Sequence, residues 1–103
     1  MKKGARNMTK EYFVTSILHS GRKGERNTQV NDSKYQGLIG YKVGFDTNAI
    51  ERGEELKMWV LNSPYYRNWY TSMVIAAWVN EQDHTLTIET ENSLYILKEC
   101  NDD

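Results

Sequence analysis

The stretch Thr85-Leu86-Thr87-Ile88-Glu89-Thr90 decides the fold of this chain, together with Leu94-Tyr95-Ile96-Leu97, which follows it closely. The first segment alternates polar and apolar residues, as a strand with one buried face does. Glu91-Asn92-Ser93 lies between the two segments and has the polar residues typical of a turn. The sequence therefore predicts an antiparallel hairpin here and a small, mostly antiparallel β domain overall.

Strand patterns continue on the N-terminal side of this hairpin. Four further strands are predicted, and they span Lys10–Ser20, Leu38–Phe45, Leu56–Leu61 and Trp69–Asn80. A helix also fits the apolar spacing of the first segment, and the last is expected to bend near Ala76-Ala77. Gly40 and Gly44 indicate a bent strand, which a small closed barrel requires. We predict an all-β fold, a small antiparallel barrel of five or six strands, SH3-like with an OB-like barrel as the alternative.

One domain is expected from 103 residues, with a flexible leader over residues 1–9, the barrel over 10–99 and an acidic tail over 100–103. Cys100 is the only cysteine, which excludes a disulfide within the chain and a cysteine-based metal site. The basic start has no apolar run behind it, and no apolar stretch approaches about 20 residues. The sequence thus predicts a cytoplasmic protein without membrane contact.

Basic residues are concentrated near the N-terminus. Residues 1–34 contain eight Lys and Arg against three acids, a net charge of +5, whereas residues 35–103 contain five against eleven, a net charge of −6. Residues 21–37 lack periodicity and are predicted to form a long basic loop. Its side chains Arg22, Lys23, Arg26 and Lys34 are candidate contacts for a polyanion. The alternative is that the basic segment folds back onto the acidic remainder of the chain.

An aromatic run with an interleaved arginine follows Pro64. Its candidate binding residues are Tyr65, Tyr66, Arg67 and Trp69. Such residues can anchor a protein partner or stack on the bases of a single-stranded nucleic acid, and they can equally pack in the core. Trp59, Trp78 and Tyr95 are predicted to lie in the core.

No residue pattern in the sequence carries catalytic chemistry. His19 and His84 are 65 positions apart and match no ligand spacing, and no nucleophile or phosphate-loop motif occurs. We therefore expect no enzyme activity, no cofactor and no metal.

The pattern Tyr70-Thr71-Ser72-x-Val74, followed by Glu89-Thr90-x-Asn92-Ser93-x-Tyr95-x-Leu97, resembles that of short uncharacterised proteins of phages and mobile elements with an SH3-like barrel. The resemblance covers about the last 35 residues and implies an accessory protein that binds a host macromolecule. It implies no catalytic residue.

These observations favour a non-enzymatic binding module with a protein partner. The alternative is a nucleic-acid-binding barrel that holds phosphates with the basic loop and stacks bases on the exposed aromatics. A homodimer is also compatible with the sequence, because an unpaired strand in a small β protein readily pairs with a second copy.

Overall fold

The computed structural model describes residues 9–100, and its regular structure is almost entirely β. Residues 1–8 of the predicted leader and residues 101–103 of the predicted tail lie outside the described part of the chain. A short helix α1 and a single 3-10 turn accompany six strands. The elements are β1 Thr9–His19, α1 Ser33–Gln36, β2 Lys42–Asp46, the 3-10 turn Thr47–Ala49, β3 Glu55–Val60, β4 Asn68–Asn80, β5 Thr85–Thr90 and β6 Ser93–Glu99.

The six strands form an antiparallel sheet that closes into a ring. Each strand pairs with its successor in the chain, and β6 pairs with β1. The register shifts between Val14 and Ser16 in β1, between Glu55 and Lys57 in β3 and between Val74 and Ala76 in β4. Such irregularities bend a strand, and the last one lies beside the bend that the sequence predicts in β4. The prediction of an all-β fold with five or six antiparallel strands is confirmed, and the number of strands is six.

The predicted C-terminal hairpin is confirmed as β5 and β6. Leu86 pairs with Leu97 and Ile88 with Tyr95, and all four side chains are buried. Thr90 closes the hairpin, because its buried hydroxyl donates to the Ser93 carbonyl oxygen and accepts from the Ser93 amide, at 3.1 Å in each case. The alternating pattern therefore produces one face that packs inside the ring.

The core inside the ring consists of aliphatic and aromatic side chains. Tyr12 stacks on Phe45 with ring centroids 5.1 Å apart, and the Trp69 indole Nε1–H donates to the Tyr95 hydroxyl at 3.0 Å. Burial of Tyr95 confirms its predicted place in the core. The same prediction is wrong for Trp59 and Trp78, which are 47% and 46% exposed.

The first predicted strand is confirmed, and the second is shorter than predicted. The segment predicted as Lys10–Ser20 forms β1 Thr9–His19, so the helical alternative is wrong for that segment. Residues 38–41 form turns instead of extending β2, and Gly40 adopts a φ of +94°, which favours glycine. This turn is fixed by β1, because the Val14 amide donates to the Tyr41 carbonyl and the Gly40 amide donates to the Val14 carbonyl.

No helix among residues 9–100 is long and apolar enough to cross a membrane.

Candidate binding surface

The two arginines of the basic loop are paired with glutamates of the C-terminal hairpin. Arg26 Nη1 lies 2.8 Å from Glu89 Oε2, and Arg22 Nη1 lies 3.1 Å from Glu91 Oε2. Arg26 also donates to the Ser20 carbonyl oxygen. The loop therefore folds back onto an acidic part of the molecule, as the alternative interpretation of the charge distribution describes. Both guanidinium groups already have an anionic partner.

Neither of the two predicted lysines forms an ion pair with a carboxylate within residues 9–100. Lys23 lines a cavity of about 430 Å³ together with His19, Tyr35 and Asn92. Lys34 lies in α1, and its Nζ is 5.6 Å from the centroid of the Trp69 ring. Of the four predicted phosphate contacts, Arg22 and Arg26 are thus paired with glutamates, whereas Lys23 and Lys34 are not.

Three of the predicted site residues come together where α1 meets residues 63–69. The Tyr66 hydroxyl donates to the Lys34 carbonyl oxygen at 3.2 Å, and its ring meets Trp69 edge-on with centroids 5.8 Å apart. Gly37 permits this approach, because a Cβ there would lie 2.8 Å from the Tyr66 hydroxyl oxygen. Trp69 is only 4% exposed. This cluster therefore packs α1 against the ring and offers little of the Trp69 ring to a ligand.

Tyr65 and Arg67 remain accessible beside this cluster. Tyr65 is 82% exposed, and Arg67 is also exposed. Ser63 Oγ accepts hydrogen bonds from the amides of Tyr65 and Tyr66, which fixes the turn that presents Tyr65.

Two exposed aromatic side chains, Trp59 and Tyr70, lie on the outer side of β3 and β4. Lys57 and Trp59 alternate with the buried residues of β3, and Tyr70 is the cross-strand partner of Lys57. Lys57 Nζ lies 5.0 Å from the Trp59 ring centroid and 5.9 Å from that of Tyr70. No carboxylate within residues 9–100 forms an ion pair with Lys57. We call Lys57, Trp59 and Tyr70 the aromatic face.

Further exposed apolar side chains continue the aromatic face on both sides. Trp59 pairs with Gly44, which has no side chain, and Leu61 covers Gly44. Met73 is the cross-strand partner of Glu55, and this pair lies next to the pair of Lys57 and Tyr70. Leu61, Trp59, Tyr70 and Met73 are each more than 40% exposed. A contiguous apolar surface of this kind is typical of a site where another molecule binds.

Trp59 and Lys57 are candidate binding residues that no sequence motif indicates. The signal was present in the strand itself, since Leu56, Met58 and Val60 alternate with Lys57 and Trp59. Three aliphatic side chains on one face of β3 leave the other face, with Trp59, for solvent. A large aromatic side chain such as Trp59 is expected to be buried, but its place among the alternating exposed and buried residues of β3 makes it exposed.

The described residues include no group of three or more His, Cys, Asp or Glu side chains placed to hold a metal ion. No family model, no curated protein sequence and no solved structure matches the chain.

Proposed function

We propose that the protein is a non-enzymatic binding module that holds a protein partner on the aromatic face. The carrying observation is that Trp59 and Tyr70 are exposed on two paired strands with Lys57 between their rings. Tryptophan and tyrosine are the side chains that most often dominate the binding energy of protein interfaces. Because both rings stand on regular strands, little conformational entropy is lost when a partner covers them.

The charge distribution supports a protein partner over a nucleic acid. Arg22 and Arg26 are neutralised by Glu91 and Glu89, and residues 35–103 have a net charge of −6. An acidic surface repels phosphates, and phosphate contacts supply most of the affinity for nucleic acid.

A second candidate function is binding of single-stranded nucleic acid on the same face. Lys57 favours it, because an ammonium group between two exposed rings can contact a phosphate while bases stack on Trp59 and Tyr70. Arg67, one residue before the β4 partner of Trp59, would add a second phosphate contact.

The proposal also includes the type of barrel, the location of the protein and its origin. We infer an SH3-like type of small barrel, supported by the pairing of consecutive strands, which differs from the Greek-key order of an OB-fold. A cytoplasmic accessory protein of a phage or mobile element, with a host protein as its partner, would fit a small module of this kind.

The test is capture of a partner from a lysate of a low-GC Gram-positive bacterium by the immobilised protein, followed by direct affinity measurement with the identified partner. We expect Trp59→Ala and Tyr70→Ala each to weaken binding at least about tenfold, as interface anchors do. Trp78→Ala is the matched control, because Trp78 is equally exposed on the outer side of β4 but lies eight residues beyond Tyr70. Equal affinity of all three variants would refute the assignment of the face.

The second candidate is tested with fluorescently labelled single-stranded oligonucleotides at about 50 and 200 mM salt. Micromolar binding that falls steeply with salt and is lost in Trp59→Ala would establish nucleic acid as the ligand. The protein-binding proposal predicts no binding at either salt concentration.

A further inference from the structure

One end of the ring has an apolar interior that is open to solvent. Val79 pairs with Leu86 and Ala77 pairs with Ile88 across β4 and β5. Directly paired residues share one face of a sheet, and Leu86 and Ile88 belong to the core. Val79 therefore points to the inside of the ring, yet it is 64% exposed. The core does not fill this end of the ring.

The space left there is a cavity of about 380 Å³. Val79, Leu86 and Tyr12 give it apolar walls, and Tyr12 is held in place by its stacking on Phe45. Small-molecule sites in proteins have volumes of about 300–1,000 Å³ and combine apolar walls with a few polar groups. The cavity matches that description in both size and lining.

The polar groups at the rim leave one negative charge without a counter-ion. Lys10 Nζ lies 3.3 Å from Glu99 Oε2, so these two charges offset each other. Glu81 also lines the cavity, and no ion pair joins it to any cation within residues 9–100. Lys98 lies on the outer face and donates to the Asp83 carbonyl oxygen. His84 also lines the cavity.

We propose that this open end binds a small molecule with an apolar body and a protonated amine. The body packs against Val79, Leu86 and the Tyr12 ring, and the amine pairs with the Glu81 carboxylate. Burial, and secondly the Glu99 charge, raise the pKa of Tyr12, so the phenol stays protonated and can donate a hydrogen bond. Val79 lies nine residues along β4 from Tyr70, so this site does not depend on the proposed function of the aromatic face.

Three probes of similar size and different charge test the proposal: 2-phenylethylamine, 2-phenylethanol and 3-phenylpropionate. Each is titrated into the full ¹⁵N-labelled chain at pH 8, where histidine side chains are uncharged. We expect the amine to shift the amide signals of residues 79–86 and 99 saturably, with a dissociation constant of about 1 mM. The alcohol should bind more weakly, and the carboxylate should not bind detectably.

Two variants separate the apolar contact from the charge. Val79→Trp places a larger side chain in the cavity and should abolish the shifts caused by the amine. Glu81→Gln should weaken binding of the amine by about threefold, as loss of an exposed ion pair does, and leave binding of the alcohol unchanged. Glu54→Gln is the matched control, since Glu54 is exposed and does not line the cavity.

Absence of a saturable shift with the amine would overturn the site. Equal affinity for the amine and the carboxylate, or an unchanged amine affinity in Glu81→Gln, would overturn the proposed ligand class. Trp59→Ala should leave the binding of all three probes unchanged even where it abolishes partner binding, because Trp59 does not line the cavity.

Discussion

Tyr95 places a hydroxyl group in the middle of an otherwise apolar core. Its side chain is 1% exposed and accepts the hydrogen bond from the Trp69 indole. Burial raises the pKa of the Tyr95 phenol well above its ordinary value of 10, because the phenolate cannot be solvated there. The folded protein therefore holds this proton more tightly than the unfolded chain does.

The raised pKa predicts a loss of stability in alkaline solution. The unfolded phenol ionises near pH 10, whereas the folded phenol does not, so the free energy of unfolding falls as the pH rises above about 10. Tyr95→Phe should reduce this fall when urea unfolding at pH 8 is compared with pH 10.5. A smaller fall should persist in that variant, because the pKa of Tyr12 is also raised. Tyr65→Phe, at an exposed tyrosine, should leave the fall unchanged.

The same substitution tests the hydrogen bond at neutral pH. Tyr95→Phe leaves the buried Trp69 N–H without its acceptor, which should cost about 1–3 kcal/mol of unfolding free energy. Tyr65→Phe should cost less than about 0.5 kcal/mol, as surface substitutions usually do. Equal unfolding midpoints for the two variants in urea at pH 8 would show that the Trp69–Tyr95 bond contributes nothing.

The tryptophans show which features of a single residue can be predicted from sequence. The outward position of Trp59 follows from the alternation of exposed and buried residues along β3, so it can be predicted from the local sequence. The burial of Trp69 depends on Tyr35 and Lys34 of α1, which contact its ring from more than 30 residues away. No local sequence pattern indicates that contact, so the sequence does not show that Trp69 is buried while nearby Tyr65 is exposed.

At the scale of elements, the β5–β6 hairpin depends on one buried hydroxyl. Thr90 Oγ1 accepts from Ser72 Oγ at 2.9 Å and also joins both backbone groups of Ser93. Thr90→Val keeps the shape of the side chain and removes these bonds, so we expect a loss of about 1–3 kcal/mol in chemical denaturation. Thr87→Val, on the outer face of the same strand, is the control and should change stability by less than about 0.5 kcal/mol. Similar losses in the two variants would contradict the role of Thr90.

Arg26 and Glu89 form one of the two ion pairs that join the basic loop to this hairpin, and Arg22 and Glu91 form the other. Glu89→Gln removes the charge that fixes Arg26, so we expect the loop to open more often. Hydrogen exchange at the amides of His19 and Asn27, which bond across the base of the loop, should become at least about threefold faster. Glu54→Gln should leave these rates unchanged. Rates that stay equal in Glu89→Gln would show that the backbone alone closes the loop.

The hairpin could be predicted because everything that specifies it lies within 15 consecutive residues. The turn over residues 38–41 could not, because the partner that fixes it is Val14 of β1. The local sequence Leu38-Ile39-Gly40-Tyr41 resembles a strand, but the segment turns because it bonds to Val14 of β1 as well as within itself, as from the Tyr41 amide to the Leu38 carbonyl. Tertiary contacts of this kind override local preferences for strand.

At the scale of the whole molecule, stability depends on the closure of the ring between β1 and β6. Leu97 pairs with Val14 of β1 and with Leu86 of β5, and it is fully buried. Leu97→Ala should therefore lower the free energy of unfolding by about 2–5 kcal/mol. Val79→Ala also shortens an inward-facing side chain but at the open end of the ring, where we expect a loss below about 0.5 kcal/mol. Urea unfolding compares the two, and equal losses would mean that the open end is packed as tightly as the closing pair.

Closure of the ring also limits how this protein can associate with copies of itself. A flat sheet of six strands would end in two strands whose amide and carbonyl groups could template further chains, and fibrils grow by such addition. In this protein β1 and β6 are paired, so their amide and carbonyl groups form hydrogen bonds with each other. Closure therefore removes the first and last strands as starting points for backbone templating, whereas Ile75–Asn80 of β4, which pairs with β5 alone, keeps one open edge. Association of two copies through their first and last strands would require the β1–β6 pairing to open first.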